Sequence, residues 1–386
     1  MGKNLNLLKA ALDSRDWLTG DPLLVESLLA ILQKVANGEG VVLGGESPPR
    51  AGKILIATGG TTGHPRFAIH TWDTLCAAAN CLARKLGKGI DSYSILPLGH
   101  VSGFMPAARA IVSGGKLVLG SKNTLPEDSK GLCISLVPTQ LMRFLDDPEA
   151  VKKLGGFRMV FLGGAAADPD LLSAARESGI PVAPCYGMTE TGAMVTMLDP
   201  GDFLDGEGGC GGALPGVDIT IGGDGQVFVD TPGLSEGYAG GDGELQQPFA
   251  TKDRGEFGPS GSLKIIGRMD RVIITGGEKV DPGEVESSLR SIPGVQQCLV
   301  VGMEDLEWGQ KLTAFVTGHN LLGQHLEKEL RKVLPSHKIP KEILVVEKLP
   351  FDEKGKLDWE KVRALIRARG HAPVRARAES DPPGGG

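Results

Sequence analysis

Hydrophobic positions in the first 200 residues follow two different periods. Residues 5–36 carry leucines three or four positions apart, which predicts two amphipathic helices. Further along, short apolar runs alternate with helical patterns, which predicts an α/β core with largely parallel strands. The predicted strands are residues 54–57, 94–98, 116–119, 133–137 and 159–162, and the predicted helices are residues 72–86, 104–112, 140–145 and 171–177.

The pattern changes near residue 200. Residues 201–290 hold 22 glycines among alternating strands, which is typical of a small antiparallel β unit. A mixed α+β pattern follows, and the last residues are of low complexity. We therefore predict an N-terminal domain of residues 1–268 with a β-rich subdomain at about 201–268, a C-terminal domain of residues 269–368 and a disordered tail of residues 369–386.

Composition narrows the class of protein. The chain has 386 residues with 41% hydrophobic side chains, which is enough for a folded core. Its net charge of −6 argues against nucleic-acid binding. No apolar run reaches the roughly 20 residues of a membrane helix, and the first residues lack a signal-peptide core. Six scattered cysteines favour free thiols over disulfides or zinc. We expect a soluble cytoplasmic protein without a membrane span.

A loop rich in glycine and threonine is the first candidate binding site. It covers residues 58–66 and follows a predicted strand. Its spacing excludes a Walker A loop. An ordinary strand–helix turn is the alternative, but the threonines and Arg66 favour a cradle for phosphates, in which backbone N–H groups and hydroxyls are the donors. The predicted phosphate ligands are Thr58, Gly59, Gly60, Thr61, Thr62 and Gly63.

Five motifs in order resemble those of the adenylate-forming superfamily, which includes acyl-CoA synthetases, luciferases and peptide-synthetase adenylation domains. The phosphate loop is similar to T-[SG]-G-T-T-G-x-P-K, with Arg66 in place of lysine. The others are Y-G-M-T-E at residues 186–190, T-K-D at residues 251–253, the interdomain signature at residues 267–286, and P-F-D-E-K-G-K at residues 350–356, where Asp352 replaces threonine. The resemblance implies an adenylate-forming fold with a mobile C-terminal lid, and ATP, Mg²⁺ and CoA as cofactor and co-substrates.

The same resemblance assigns roles around the nucleotide. Glu190 would hold Mg²⁺ and act in catalysis, in keeping with the preference of this ion for hard oxygen ligands. Thr189 would contact phosphate, and Tyr186 with Gly187 would lie against adenine. The loop at residues 163–165 borders two pockets in the family, which places Gly164 beside the nucleotide and Gly163 beside the acid.

Four further residues follow from the later motifs. Asp253 would bind the ribose hydroxyls, and Arg268 the ribose or phosphate. Asp270 would sit at the hinge, where Arg271 replaces a second aspartate of the family pattern. Lys356 would be the adenylation lysine, with Lys354 as its nearest rival.

Residues 96–109 suggest which carboxylic acid a member of this superfamily with this sequence would activate. His100 matches a catalytic position at the mouth of the family's acyl pocket, and Ser102 follows it in the same motif. Arg109 lies in an otherwise apolar helix, where a buried arginine needs a carboxylate partner. Periodicity leaves open an exposed arginine. The o-succinylbenzoate–CoA ligases carry an arginine at this offset, so the resemblance implies the dicarboxylate o-succinylbenzoate as substrate and Arg109 as its ligand.

Other functions stay open at this stage. The acid could be another aryl or acyl acid, or the enzyme could load a carrier protein instead of CoA. A nucleotide-binding protein without catalysis is less compatible with the retained Glu190, Asp253, Arg268 and Lys356. The segment before the phosphate loop is shorter than is usual in the family, and a homodimer is one expectation for the assembly.

Overall fold

The computed structural model describes residues 2–58, 66–241, 243–319, 321–350 and 358–367. The chain divides into two compact units, residues 1–265 and 266–386. In unit 1 the helices are α1 Gly2–Ser14, α2 Pro22–Ala36, α3 Trp72–Leu86, α4 Val101–Ser113, α5 Pro138–Leu145, α6 Pro148–Gly155, α7 Pro169–Glu177 and α8 Pro200–Leu204. In unit 2 they are α9 Pro282–Arg290, α10 Gly323–Val333 and α11 Trp359–Arg367.

The strands fall into three groups along the chain. The first group is β1 Leu18–Gly20, β2 Val41–Leu43, β3 Ile54–Ala57, β4 Phe67–His70, β5 Ser92–Ser94, β6 Leu117–Leu119, β7 Cys133–Leu136, β8 Met159–Leu162, β9 Val182–Met188, β10 Ala193–Met197 and β11 Gly212–Ala213. The second is β12 Asp218–Ile221, β13 Gln226–Asp230, β14 Phe249–Phe257 and β15 Leu263–Arg268. The third is β16 Ile273–Thr275, β17 Glu278–Val280, β18 Val295–Asp305, β19 Gly309–Gly318 and β20 Glu342–Val345.

A mixed sheet forms the centre of unit 1. Within the described residues it has the order β1-β6-β5-β7-β8-β9-β10-β11. Pairing is parallel from β1 through β9 and antiparallel from β9 to β11. Parallel sheets need helices on their faces, and short apolar strands such as β8 are buried along their whole length. The predicted α/β class is confirmed.

Helices α7 and α5 begin earlier than hydrophobic periodicity predicts. Helix α7 starts at Pro169 rather than at residue 171, after the Asp168 side chain accepts a hydrogen bond from a backbone N–H of the first turn. Helix α5 likewise starts at Pro138, two residues before its predicted start. Proline fits the first helical position because that N–H has no helical partner, so it extends a helix beyond its apolar stripe.

Two predictions are wrong, one on the connection at residues 58–66 and one on the strand at residues 94–98. The loop connects β3 to β4 as a hairpin, not a strand to a helix, because Ala57 and Phe67 pair antiparallel and the Thr58 N–H donates to the Arg66 carbonyl at 2.7 Å. The strand predicted at residues 94–98 ends at Ser94. Pro97 has no N–H to donate to a ladder, so the chain leaves the sheet there.

A second sheet of unit 1 has the order β2-β3-β4, and a third has the order β12-β13-β14-β15. The pairs β12–β13 and β13–β14 are antiparallel, as the glycine-rich alternating pattern predicts. In unit 2, strands β17, β16, β19 and β18 form a sheet in that order, and β20 joins β19 in parallel. Helix α9 packs on β18, and helix α10 packs on β20. No helix in the described ranges is long and apolar enough to cross a membrane.

Arg271, which replaces an aspartate of the family pattern, forms an ion pair within unit 2. Its guanidinium donates to Glu286 Oε1 at 2.6 Å, and the Val300 N–H donates to the same oxygen at 2.9 Å. Glu286 lies on α9 and is buried. Arg271 therefore ties the segment after β15 to α9 and β18.

Candidate active site

Helix α4 carries a deeply buried arginine. Arg109 is 3% exposed, so the alternative of a surface arginine is wrong. Its guanidinium lies over the Phe161 ring, 5.4 Å from the ring centre, and faces the Cys185 and Cys133 thiols. Burial lowers the pKa of this guanidinium, and the two thiols act weakly in the opposite direction. Among the described residues no carboxylate forms an ion pair with Arg109, although an isolated buried charge is strongly unfavourable.

Two hydroxyl groups lie on the sheet face that Arg109 covers. Ser135 on β7 pairs with Phe161 on β8 in a parallel register, so their side chains share a face. Ser92 pairs with Cys133, which places Ser94 on the same face one strand further along. Ser135 is half-buried, and the buried Ser94 Oγ has no hydrogen-bond partner within the described residues. A cation and hydroxyl donors on one buried face suit a carboxylate ligand.

The start of α4 presents the predicted acid-pocket residues. His100 is exposed and caps α4 without a side-chain hydrogen bond, and Ser102 is half-buried in the first turn. A Cβ at Gly103 would collide with the Pro97 and Leu96 carbonyls. A glycine is therefore required for α4 to approach the preceding loop.

Of the predicted phosphate loop, the structure describes only Thr58 and Arg66 at its base. Thr58 is buried, and its Oγ1 has no hydrogen-bond partner in the described part of the chain. Gly59, Gly60, Thr61, Thr62 and Gly63 lie outside the described residues, as does Lys356 with its rival Lys354. Their roles stay predictions.

The Y-G-M-T-E motif ends in a short 3₁₀ turn, Thr189–Thr191, between β9 and β10. The Tyr238 hydroxyl donates to Glu190 Oε1 at 2.7 Å, and the Ser235 N–H donates to the Glu190 carbonyl at 2.7 Å. Gly187 pairs closely with β10, where a Cβ would meet Met194 Cα at 2.5 Å. The glutamate is thus held by its backbone and by one carboxylate oxygen.

A buried histidine fixes the residue before Glu190. His70 Nε2 lies 2.7 Å from the Thr189 carbonyl, which only accepts, so the neutral ring carries its proton on Nε2. His70 Nδ1 lies 3.0 Å from Thr74 Oγ1. Burial lowers the pKa of His70 to about 4, and the bond to Thr189 and the charge of Glu236 act in the opposite direction. His70 is therefore a neutral donor at physiological pH.

Tyr238 connects Glu190 to the base of the phosphate loop. The Arg66 guanidinium lies over the Tyr238 ring, 4.3 Å from its centre. Burial and the neighbouring Glu190 carboxylate raise the pKa of the Tyr238 phenol well above its ordinary value, with Arg66 opposing. The phenol therefore stays protonated and remains a donor to Glu190.

The predicted adenine and ribose residues are in direct contact. The Tyr186 hydroxyl donates to Asp253 Oδ2 at 2.8 Å, and both side chains are buried. The Asp253 N–H donates a hydrogen bond to Thr251 Oγ1 at 3.1 Å. In the predicted pocket loop, Gly164 has a φ of +83°, a conformation that favours glycine. A Cβ at Gly163 would lie 3.0 Å from Cys185 Sγ, which keeps that position small.

In unit 2 two predicted residues bind each other. Arg268 donates from Nε to Asp270 Oδ1 and from its second nitrogen to Asp270 Oδ2, both at 2.8 Å. The pair lies just after the division between the units at Ile265. A planar guanidinium matches a carboxylate in this paired geometry.

The residues around Glu190 fit a metal ion that arrives with a nucleotide. Mg²⁺ usually takes one or two protein carboxylates, and waters and substrate phosphates complete its shell. Glu190 Oε2 makes no hydrogen bond to a described residue, while Oε1 is bound by Tyr238. Across the described ranges no group of three or more acidic, histidine or cysteine side chains could hold a metal unaided. A substrate-borne Mg²⁺ therefore fits better than a resident ion.

Sequence reasoning proposed Glu190, Tyr186, Asp253 and Arg109 as site residues but did not single out the side chains His70, Tyr238, Ser94 and Ser135 that lie around them. His70 and Tyr238 lie 120 and 48 positions from Glu190, counted along the chain by their numbers. Their only local signal is a polar or aromatic residue among apolar or glycine neighbours. Ser94 and Ser135 were hidden inside runs interpreted as plain strands.

The three sheets of unit 1 and the separate α+β unit define a two-unit α/β enzyme of the adenylate-forming class. The model of the AMP-binding enzyme family matches residues 17–239, and that of the AMP-binding enzyme C-terminal domain matches residues 284–356. The chain therefore belongs to the AMP-binding enzyme family.

Two 2-succinylbenzoate–CoA ligases align with most of this chain. The 2-succinylbenzoate–CoA ligase of Listeria monocytogenes is 30% identical over 328 residues, which are 80% of this chain and 69% of that protein. The enzyme of the same name from Salmonella typhimurium is 36% identical over 271 residues, 68% of this chain and 57% of that protein.

Solved structures agree in fold. Bacillus subtilis o-succinylbenzoate CoA synthetase, in complex with the acyl-adenylate intermediate OSB-AMP, superposes with a TM-score of 0.67 at 29% identity, covering 83% of this chain and 69% of that one. ATP-bound MatB from Rhodopseudomonas palustris gives a TM-score of 0.71 at 24% identity, covering 94% and 82%. The second likeness concerns the fold alone.

Proposed function

We propose that the protein is an ATP-dependent, AMP-forming acid–CoA ligase that converts 2-succinylbenzoate to 2-succinylbenzoyl-CoA. In the first half-reaction the acid and ATP give an acyl-adenylate and pyrophosphate. In the second, CoA and the acyl-adenylate give the thioester and AMP. The enzymes of this name from Listeria monocytogenes and Lactococcus lactis align with the chain over more than two thirds of their length, and one solved structure of such an enzyme carries the acyl-adenylate.

The choice of a dicarboxylate is carried by Arg109. A guanidinium that is 3% exposed and has no carboxylate among the described residues is stabilised when the ligand brings one. The adjacent Ser94 and Ser135 hydroxyls offer neutral donors on the same face. A monocarboxylate whose only acid group is being activated would leave Arg109 unpaired.

The first step joins two anions, so charge must be neutralised where it accumulates. The substrate carboxylate attacks the α-phosphorus of ATP, a new acyl–phosphate bond forms, and pyrophosphate leaves. Donors fixed in advance lower the barrier because they do not reorganise as charge develops. We assign this role to the loop at residues 58–63, Thr189 and Lys356. Mg²⁺ held at Glu190 would neutralise phosphate oxygens.

Nucleotide position is assigned to the joined pair of Tyr186 and Asp253. Tyr186, with Gly187 and Gly164, would lie against adenine, and Asp253 would accept from the ribose hydroxyls. One oxygen of Asp253 is bound by Tyr186, which orients the carboxylate before ATP binds. Orientation of this kind reduces the entropy lost in reaching the reactive geometry.

The second step needs a thiolate at the acyl carbon. The CoA sulfur attacks, the carbonyl re-forms, and the acyl–phosphate bond breaks with release of AMP. We assign His100, Ser102 and Gly163 to the acid pocket. Residues 269–368 would form the lid, with Asp270 at its hinge and Arg268 on the nucleotide. This places the domain boundary at residues 268 and 269.

Two further assignments complete the proposal. All six cysteines are free, which accords with a reducing cytoplasm. A homodimer is proposed for the assembly, and light scattering at several protein concentrations would test it.

A panel of acids tests the function. Pyrophosphate release is measured for 2-succinylbenzoate, benzoate, malonate and medium-chain acids, with CoA added or withheld, and products are identified by mass spectrometry. We expect adenylation of 2-succinylbenzoate and its CoA ester only when CoA is present. Turnover of a monocarboxylate without turnover of 2-succinylbenzoate would reject the substrate. Adenylation with no CoA ester would favour a carrier-protein acceptor.

A further inference from the structure

Three side chains around the phosphate loop lie on one face of a short strand. Arg66 directly precedes β4 and His70 ends it, so the two are four positions apart and point the same way. An isolated antiparallel bridge pairs Ala68 with Tyr238, which places Tyr238 on that same face between them. The Ile69 N–H donates to the Gly237 carbonyl at 2.9 Å and secures the bridge.

The position of Tyr238 separates two opposite charges. The Arg66 guanidinium lies over the Tyr238 ring, 4.3 Å from the ring centre, and the Tyr238 hydroxyl donates to Glu190 Oε1 at 2.7 Å. No ion pair within 4 Å joins Arg66 to Glu190, both of which the structure describes. An arginine and a glutamate this near would otherwise be free to form a bidentate pair. Such a pair would occupy both carboxylate oxygens.

We propose that Tyr238 is a positioning residue that keeps Glu190 and Arg66 apart, so that the carboxylate stays available to Mg²⁺ and the guanidinium to phosphate. The inference rests on the proposed nucleotide chemistry but not on the identity of the acid. The hydroxyl fixes one oxygen of Glu190 and leaves the other for the metal. The ring holds the arginine by a cation–π contact, which leaves the guanidinium edges open to an anion.

Metal binding measures this role directly. Mn²⁺ is titrated into the full chain with α,β-methylene-ATP and followed by electron paramagnetic resonance. We expect Tyr238→Phe, which keeps the ring, to weaken analogue-dependent Mn²⁺ binding about fivefold. Analogue affinity in EDTA should change less than about twofold, since the nucleotide contacts remain. Tyr93→Phe is the matched control, because the Tyr93 hydroxyl bonds Thr124 outside this site.

A second variant tests the separation of charges. Tyr238→Leu removes both ring and hydroxyl, so Arg66 can pair with Glu190 and Mn²⁺ binding should fall further, about thirtyfold. Adding Arg66→Gln to Tyr238→Leu should restore part of that affinity, an outcome that misfolding would not give. In a Glu190→Gln background, Tyr238→Phe should have less than about a twofold effect.

Three results would overturn the proposal. Unchanged Mn²⁺ binding in Tyr238→Phe would remove the role of the hydroxyl. An undiminished loss in the Glu190→Gln background would show that Tyr238 does not act through Glu190. No recovery on adding Arg66→Gln would remove the separation of charges. Nucleotide analogue that fails to bind in the wild type with or without metal would instead reject the proposed function itself.

Discussion

The Tyr186 hydroxyl donates a 2.8 Å hydrogen bond to Oδ2 of Asp253, which joins two motifs 67 residues apart. The two side chains were assigned to different parts of one nucleotide, and the structure brings them into direct contact. The carboxylate of Asp253 is thus oriented by a neighbour whose own ring is assigned to the base. Binding of base and ribose should therefore be coupled.

Tyr186→Phe should weaken ATP binding about fivefold, because it removes one hydrogen bond worth about 1 kcal/mol while the ring remains. The loss should be smaller for 2′-deoxy-ATP, which offers Asp253 one hydroxyl fewer. Calorimetric titration of both nucleotides measures this, with Tyr93→Phe as control. Equal losses for the two nucleotides would mean that Tyr186 acts on the base alone.

Arg109→Met should lower kcat/KM for 2-succinylbenzoate about a hundredfold or more, since a buried charge pair is lost. The KM for ATP should change less than about threefold, because the methionine fills the same volume away from the nucleotide motifs. Steady-state pyrophosphate assays with each substrate varied in turn distinguish the two.

The same variant should not destabilise the fold. Arg109 has no carboxylate among the described residues, so removing it removes a buried charge, and the unfolding free energy should fall by less than about 1 kcal/mol. Arg176→Met is the matched control, because Arg176 lies over Phe203 at 4.6 Å and also donates to the Phe203 carbonyl. A loss above about 2 kcal/mol for Arg109→Met would identify a structural arginine.

His70 should make stability depend on pH. Its pKa is lowered to about 4 in the folded chain, against about 6.5 for an exposed histidine. Between these values the unfolded chain binds a proton that the folded chain does not. Stability from this group is therefore present above pH 6.5 and lost as pH falls toward 4, by about 2 kcal/mol at pH 5.

Urea denaturation at pH 7 and pH 5 measures that difference. The wild type should lose about 2 kcal/mol more than His70→Gln between the two values, because glutamine does not titrate. His325→Gln replaces an exposed histidine of unit 2 and should follow the wild type. Parallel losses in wild type and His70→Gln would show that another group is responsible.

Arg271→Ala should destabilise unit 2 locally by about 2 kcal/mol, because it leaves the buried Glu286 carboxylate with fewer donors. Arg331→Ala removes an exposed pair with Glu327 and should cost less than about 0.5 kcal/mol. Hydrogen exchange of the α9 amides in the full chain compares the two. Equal protection of α9 in both variants would contradict a role for Arg271 in holding this helix.

Motif order was enough to predict the fold class and several candidate residues, and the comparisons confirm the family. Burial was not predictable in the same way. Arg109 lies in a helix whose apolar positions surround it, and periodicity does not distinguish a helix buried on all sides from one with a single exposed arginine. The tertiary structure shows that Arg109 is buried, because the pairing of β7 and β8 places Phe161 beneath its guanidinium.

Contacts between segments that are distant in the sequence were also not predicted. No strand was predicted at residues 67–70, between the loop and the helix predicted at residues 72–86, because a run this short carries no distinguishing period. Strand β4 was therefore missed, and with it the pairing that brings the segment containing Tyr238 beside it. His70 contacts Thr189 and Tyr238 contacts Glu190 through tertiary pairing, which no local pattern encodes.

Strand β4 has a consequence for how this enzyme can change. With Arg66 at one end and His70 at the other, it spans about 13 Å at the usual rise per residue. One insertion or deletion within it would turn His70 to the opposite face and detach it from Thr189. Changes in length should therefore be excluded from the four residues after Arg66.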